Sequence, residues 1–146
     1  MAKEDKANCI FCKIIAGQSP VSTIYEDDQV VVFVPLSHIN PGHLLVVPKA
    51  HAPYIADLDD ETAGNIMKIA HKMAGAVRKS KYKSEGVNLF LADGESAFQD
   101  VFHYHLHVFP RYKGDGFDFK YDEGRSFVEL PRDELDEIAE EIKSHL

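Results

Sequence analysis

The residues best suited to chemistry are three histidines at alternate positions, His103, His105 and His107. Successive side chains of a β-strand point to opposite faces, so the three imidazoles would share one face and the intervening apolar residues the other. A neutral imidazole is a nucleophile near physiological pH, and a neighbouring one can donate a proton to a leaving group. The pattern predicts a strand over residues 101–109 whose histidines face solvent and suit phosphoryl or nucleotidyl transfer.

A shared metal ion or a chance polar strand accounts for the histidines less well. One metal ion bound by all three would have to bridge outer Cα atoms about 13 Å apart, although a Zn–N bond is only about 2 Å long. Adjacent pairs could share an ion, but the whole trio could not without strain. A polar strand that merely happens to use histidine would need the same residue type at three successive outward positions. A division of labour among the three is the better interpretation.

The segment before the histidines, residues 93–100, is expected to be a loop that receives phosphate. Its backbone N–H groups, from Asp93 to Asp100, and the Gln99 amide could donate hydrogen bonds to phosphate oxygens, as the donors of an oxyanion hole do. Arg111 and Lys113 follow the histidines. The two cations could neutralise a bound phosphate, or they could be solvent-exposed charges without a role in binding, and the sequence supports both interpretations equally.

The elements that must position these residues indicate an α+β fold. Helical periodicity predicts a short helix around Ile10–Ile15, a long central helix over residues 60–81 and a C-terminal amphipathic helix. Apolar, β-branched runs predict the remaining strands at residues 21–25, 30–34, 43–47 and 87–91. Hairpin-linked strands with helices across them give an antiparallel sheet of about five strands. The 146 residues suit a single domain, with residues 1–8 disordered and residues 130–146 a helical extension.

Composition excludes several classes of protein. A net charge of −8 makes the chain a poor ligand for a nucleic-acid backbone and argues against docking on anionic lipid. Apolar runs are far shorter than the roughly 20 residues of a membrane span, and no secretory signal is recognisable, so we expect a cytoplasmic protein. Cys9 and Cys12 form a Cys-x-x-Cys pair, which in a reducing compartment indicates a metal or redox site.

The run from His103 to Phe109 resembles the signature of the histidine triad (HIT) family, in which histidines alternate with apolar residues and two apolar residues follow. Similarity extends to the N-terminal segment from Cys9 to Pro20, to the hairpin residues 25–28 and to residues 41–51. It covers residues 9–115 in all. The Pro-Arg pair at 110–111 and the Gly-Asp pair at 114–115 are closer to dinucleoside-polyphosphate hydrolases than to nucleoside phosphoramidases.

The resemblance implies a homodimeric enzyme that attacks the α-phosphate of a purine nucleotide conjugate. His105 would be the nucleophile and form a nucleotidyl-histidine intermediate, which water hydrolyses to a nucleoside monophosphate. His107 would contact the phosphate and the bridging atom, and Gln99 would bind the phosphate beside it. Apolar walls for the base and ribose would come from four residues, each of which core packing could equally explain: Phe11, Ile14, Phe33 and Leu36.

Four positions depart from the family pattern. Pro35 stands where Asp or Asn usually contacts the ribose, Ala92 where an amide is common, Phe98 where Gly is usual and Asp100 where Ser or Thr is common. Because proline has no side-chain acceptor, Asn40 or His38 would have to replace the ribose contact. The Asp100 carboxylate would repel phosphate unless its backbone N–H binds and its side chain points away.

The resemblance also implies a zinc site. A tetrahedral zinc held by Cys9 and Cys12 needs two more ligands, and similar bacterial HIT proteins supply them at the positions of His51 and His103. Four protein ligands make a closed, structural site. His43 is a fifth possible ligand, although as a strand residue it is better explained as a hydrogen-bonded structural histidine.

Three functions follow from these patterns. The leading one is a HIT-type hydrolase or nucleotidyl transferase acting on a phosphoric anhydride or phosphoramidate bond. The second is a non-catalytic module that binds a nucleotide or a partner on the same fold, as the four departures suggest. The third is a zinc-dependent hydrolase that uses the histidine run to bind a catalytic ion.

Overall fold

The computed structural model describes residues 5–120, 122–125 and 127–146. The chain divides after Gly116 into two compact units, of which the second is Phe117–Leu146. The N-terminal segment for which the sequence predicts disorder lies partly outside the described residues. Its described part, residues 5–8, forms a turn in which the backbone N–H groups of Ala7 and Asn8 donate to Asp5 Oδ1 at 2.9 and 3.1 Å.

A five-stranded antiparallel sheet forms the centre of the first unit, as the apolar runs predict. The strands are β1 Ser22–Glu26, β2 Val30–Val34, β3 Leu44–Pro48, β4 Gly86–Leu91 and β5 Leu106–Arg111. They follow the spatial order β1-β2-β3-β5-β4. Strands β2 and β3 are buried nearly throughout, which explains why both are continuous apolar runs rather than alternating ones.

The long helix α2, Asp60–Lys79, covers one face of the sheet. Asp59 caps its start, where the carboxylate accepts the Thr62 N–H at 2.7 Å, and acidic residues fill its first turn. Its buried stripe packs with strand residues into the larger core cluster, and each fully buried aliphatic side chain contributes about 1.5–3 kcal/mol. The stripe consists of Ile66, Ile69, Ala70, Met73 and Val77.

The short helix α1, Ile10–Ile15, lies on the smaller core cluster. Phe11 is its buried residue, and the helix is followed by Gly17 with φ +73°, a left-handed conformation that favours glycine. The partners of Phe11 in this cluster come from β2 and β3: Val31, Phe33, Leu45 and Val47. The sheet therefore has an apolar cluster at each face, and α1 brings Cys9 and Cys12 to the same face as the histidines.

The strand that carries the histidines is shorter than the alternation predicts. It begins at Leu106, so residues 101–105 lie outside the ladder and only His107 of the trio is within a strand. The last pair between β3 and β5 is Val46 with Leu106, and two residues further along β3 stands Pro48, which has no N–H to donate. Tyr104 N–H instead donates to Ala52 O at 2.7 Å. The prediction of a strand over residues 101–105 is therefore wrong.

The second unit contains one helix among its described residues, α3, Arg132–Lys143. This helix agrees with the amphipathic pattern of the C-terminal sequence. No helix in the described part of the chain combines the length and apolar character needed to cross a membrane.

Candidate functional site

The ring of His105 is oriented by a backbone carbonyl. His105 Nδ1 lies 2.8 Å from His103 O, a geometry that requires the proton on Nδ1 because the carbonyl only accepts. The neutral ring then carries its lone pair on Nε2. This is the tautomer that a nucleophilic imidazole needs, and it follows from a contact between two residues of the trio.

His105 is not the solvent-facing side chain that the alternation predicts. It is only 3% exposed, and the Phe11 ring packs on it with centroids 5.1 Å apart. The exposed Asp100 side chain meets it on one side, where Asp100 Oδ1 lies 3.4 Å from His105 Nε2. Because α1 covers this face of the sheet, the ring lies under α1 rather than facing outward. Access to Nε2 is therefore from the side of the Asp100 carboxylate.

His107 is hydrogen-bonded to a second histidine, His43, whose Nε2 lies 2.9 Å from His107 Nδ1. His43 Nδ1 accepts the Ile39 N–H at 3.0 Å, so a neutral His43 carries its proton on Nε2 and donates it to His107 Nδ1. The proton of His107 is then on Nε2. The hydrogen bond from His43 therefore leaves the His107 proton on Nε2, where it can be donated to a ligand, whereas His105 carries its proton on Nδ1.

Burial keeps both rings of this pair neutral. Desolvation, with the neighbouring His107 and His38, lowers the pKa of His43 to about 4. Desolvation and the nearby His105 lower the pKa of His107 to about 4, against the opposing effect of Asp100. His43 is the hydrogen-bonded histidine that its strand position predicts, but nothing in the sequence indicates that its partner is His107, 64 residues away.

Gln99 holds the loop before the histidines in shape. Its side chain is buried, its Oε1 accepts the Gly94 N–H at 2.7 Å, and its Nε2 donates to Pro53 O at 2.7 Å and Val101 O at 3.1 Å. An amide nitrogen has two hydrogens, and both are used here. Gln99 therefore positions the loop, and in this arrangement its amide has no donor left for a phosphate.

The two acidic residues of the loop differ in their contacts. Asp93 Oδ1 accepts the Ile55 N–H at 3.2 Å and so ties the loop to the segment before α2. Asp100 Oδ1 accepts its neighbour's Val101 N–H at 2.9 Å as well as facing His105. The Asp100 side chain thus lies toward His105 rather than away from it.

The backbone conformation at Phe98 is one that glycine adopts more easily than phenylalanine. Its backbone is left-handed, with φ +68° and ψ +27°, and its side chain is 85% exposed. A residue with a Cβ is strained there and gains little from packing. We expect Phe98→Gly to raise the free energy of unfolding by about 1 kcal/mol in denaturant titrations.

Phe98→Ala is the matched control, since it removes the ring but keeps the Cβ and hence the strain. Its stability should stay within about 0.5 kcal/mol of the parent protein. Equal stabilities of the glycine and alanine variants would show that backbone strain at Phe98 does not lower the free energy of unfolding.

The four apolar residues proposed as walls for a base and ribose do not lie in similar places. Phe11 and Phe33 are core residues, 7% and 2% exposed, with ring centroids 5.6 Å apart. Ile14 packs against the same cluster, whereas Leu36 is fully exposed. Core packing thus accounts for three of them, and Leu36 is the one available to an incoming ligand.

Arg111, Asp115 and Asn40 form a hydrogen-bonded polar cluster, and the sequence alone left the roles of Arg111 and Asn40 open. Asp115 accepts from Arg111 Nε at 2.7 Å and from Asn40 Nδ2 at 2.9 Å, and Arg111 also donates to Asn88 Oδ1 at 2.7 Å. Asn40 donates to Pro110 O as well. Arg111 therefore anchors β5 to β4, and Asn40 anchors the loop before β3. Of the two candidates for the ribose contact, His38 is the one whose ring lies near the histidines, 6.1 Å from that of His43.

Cys9, Cys12, His51 and His103 form a metal-ligand cluster whose donor atoms all lie within 4.8 Å of one another. Cys9 Sγ lies 3.4 Å from His103 Nδ1, and Cys12 Sγ lies 3.3 Å from His51 Nδ1 and 3.5 Å from His103 Nδ1. Tetrahedral zinc with ordinary bond lengths separates sulfur and nitrogen ligands by about 3.5 Å. The donor set and its spacing therefore fit zinc.

The surroundings of the cluster also suit a metal. His103 Nε2 lies 2.7 Å from Pro48 O, which places the proton there and leaves Nδ1 free as a ligand. Burial, reinforced by Cys9, raises the pKa of the Cys12 thiol to about 11, so this thiol is protonated without metal and metal binding must release its proton. His105 and His107 are absent from the cluster, which does not support a metal bound directly by the histidine run.

The fold and the site together define an α+β protein with two hydrogen-bonded imidazoles beside four side chains whose spacing fits zinc. A HIT domain model matches residues 16–114. The chain therefore belongs to the histidine triad family, as the His103–Phe109 run predicts. A crystal structure of a HIT family member from Bacillus subtilis superposes with a TM-score of 0.86 at 39% identity, covering 95% of this chain and 97% of that one.

Two further relatives bear on the site. A zinc-bound histidine triad family protein from Mycobacterium smegmatis superposes with a TM-score of 0.74 at 37% identity, covering 81% of this chain and 85% of that one. The adenylylsulfatase HINT3 of Arabidopsis thaliana is 32% identical over 108 residues, which are 74% of this chain and 54% of that protein.

Proposed function

We propose that this protein hydrolyses, or transfers the nucleotidyl group of, a conjugate between a purine nucleoside monophosphate and a leaving group. The observation that carries the proposal is the hydrogen bond from His105 Nδ1 to His103 O, which leaves a lone pair on Nε2. The adenylylsulfatase among the relatives supports the same reaction class.

The reaction proceeds by two displacements at the α-phosphorus. His105 Nε2 attacks phosphorus, a P–N bond forms, and the P–O or P–N bond to the leaving group breaks. Neutral His107 donates a hydrogen bond from Nε2 to the leaving group, a position that the His43 contact favours, and the leaving group takes its proton from solvent. Water then attacks the nucleotidyl-histidine, loses a proton to solvent, and the P–N bond to His105 breaks, which releases the nucleoside monophosphate.

A zinc ion at Cys9, Cys12, His51 and His103 would act as a structural cross-link rather than as a catalyst. It would hold α1 to the segment that carries His103. Since His103 O accepts from His105 Nδ1, this anchoring also fixes the orientation of the nucleophile. We further propose a cytoplasmic homodimer, as the family resemblance and the reducing environment required by two free thiols suggest.

Turnover of adenylyl conjugates tests the proposal. We expect the purified protein to release AMP from diadenosine polyphosphates or from adenosine 5′-phosphoramidate, measured by chromatography. Absence of AMP from both substrate classes, with the protein folded and loaded with metal, would contradict it.

A non-catalytic nucleotide-binding module is the second candidate. Two observations favour it. The Gln99 amide has no donor left for a reacting phosphate, and the burial of His105 limits attack by its imidazole. Calorimetry separates the two: AMP binding without turnover of any conjugate would support the binding module.

A further inference from the structure

The Asp100 carboxylate occupies a position suited to an oxygen of the substrate. Its Oδ1 accepts the Val101 N–H at 2.9 Å and lies 3.4 Å from His105 Nε2. A negatively charged oxygen held by a backbone N–H beside the nucleophile has the chemistry of a non-bridging phosphate oxygen in an oxyanion site. The protein without substrate thus carries an anionic oxygen of its own in front of its nucleophile.

We propose that Asp100 is a specificity-determining residue that competes with the α-phosphate and selects against highly charged leaving groups. The inference rests on the proposed function, because it concerns the same site. A phosphate that approaches His105 must displace the carboxylate from Val101 N–H and then remain close to it. Each further negative charge on the leaving group adds to the repulsion.

The exposure of Asp100 makes displacement possible. Its side chain is 82% exposed, so it can rotate into solvent without loss of packing. Arg111, the cation that the sequence suggested for phosphate, is instead paired with Asp115 and hydrogen-bonded to Asn88. Because the carboxylate is so exposed, the effective dielectric is close to that of water, where a single carboxylate left beside a phosphate oxygen disfavours binding by roughly tenfold.

The bonds made and broken are the same for every conjugate, so leaving-group charge can be varied alone. His105 Nε2 bonds to phosphorus and the bond to the leaving group breaks, while His107 Nε2 donates a hydrogen bond to the leaving atom and solvent supplies its proton, whether the broken bond is P–N or P–O. Adenosine 5′-phosphoramidate releases a small uncharged amine, whereas diadenosine tetraphosphate releases a polyanion. Asp100 should therefore favour the phosphoramidate.

Asp100→Asn tests this preference, because the amide keeps an oxygen for Val101 N–H and removes the charge. We expect kcat/KM for the phosphoramidate to rise about tenfold, from relief of the repulsion on the α-phosphate, and that for diadenosine tetraphosphate to rise by a further factor of about three. The matched control is Glu95→Gln, which removes an exposed carboxylate from the same loop. The ratio of the two kcat/KM values should stay constant in the control; an unchanged or reversed ratio in Asp100→Asn would overturn the proposal.

Binding of AMP tests the same residue without turnover. We expect Asp100→Asn to bind AMP about tenfold more tightly than the parent protein in calorimetry, with a difference that shrinks as salt screens the charge. If no conjugate is hydrolysed but AMP binding tightens, the proposed function fails and the role of Asp100 stands. If AMP binding does not tighten, Asp100 does not compete with phosphate.

Discussion

Replacement of His105 by asparagine is expected to reduce the rate of AMP release by at least about a thousandfold. The asparagine amide can still donate to His103 O in place of Nδ1, but it has no nucleophilic lone pair to replace Nε2. The fold should therefore survive while the first displacement is lost. Initial rates with a single adenylyl conjugate provide the measurement.

A matched control and a trapping experiment complete this test. His71→Asn makes the same change at an exposed position of α2 and should leave both turnover and melting temperature unchanged. Rapid acid-free quenching with labelled substrate should reveal an adenylyl group on the peptide that contains His105, and none in the asparagine variant. Parent-like turnover by His105→Asn would show that another group attacks phosphorus.

Removal of metal is expected to cost about 4 kcal/mol of unfolding free energy when zinc had been present at roughly a thousand times its Kd. For a chain of this length that loss corresponds to a fall in melting temperature of about 10 °C. The reason is that the cluster joins α1 to residues 51 and 103, and the Cys12 thiol becomes protonated and uncharged without the cation. Thermal melts with and without a chelator, together with zinc analysis, measure the effect.

A structural ion and a catalytic ion predict different sequences of events. For the structural ion, stability falls first and activity declines more slowly as His103 loses its anchor; for a catalytic ion, activity would vanish with little change in melting temperature. Cys12→Ser is the matched variant, because it removes one ligand with a near-isosteric group. It should melt at the temperature of the chelated parent protein and be insensitive to chelator.

Local patterns predicted most of the fold for a simple reason. The runs Val30–Val34 and Leu44–Pro48 are strands because apolar, β-branched residues buried on both sides suit few other structures. Helix α2 follows from its apolar stripe, its cap at Asp59 and its acidic first turn. Each of these signals lies within the element that it specifies.

The limits of local pattern appear at residues 101–105. Their alternation is typical of a strand, yet the ladder stops at Leu106 because the facing strand ends in Pro48 and cannot donate. That proline lies far from the histidines along the chain. The burial of His105 is also beyond local pattern, because it comes from α1, whose Phe11 packs on the ring.

By itself, the sequence determined the class of chemistry: residue types and spacing identified the alternating histidines, the Cys-x-x-Cys pair and the sheet that holds them. The tertiary structure alone decided which nitrogens are paired, through His103 O on His105, His43 on His107 and Gln99 within its loop. Residue type and periodicity act over a few neighbours, whereas these contacts depend on strand register and on where each strand ends. The tautomers and the approach to the nucleophile therefore become visible only when the chain is folded.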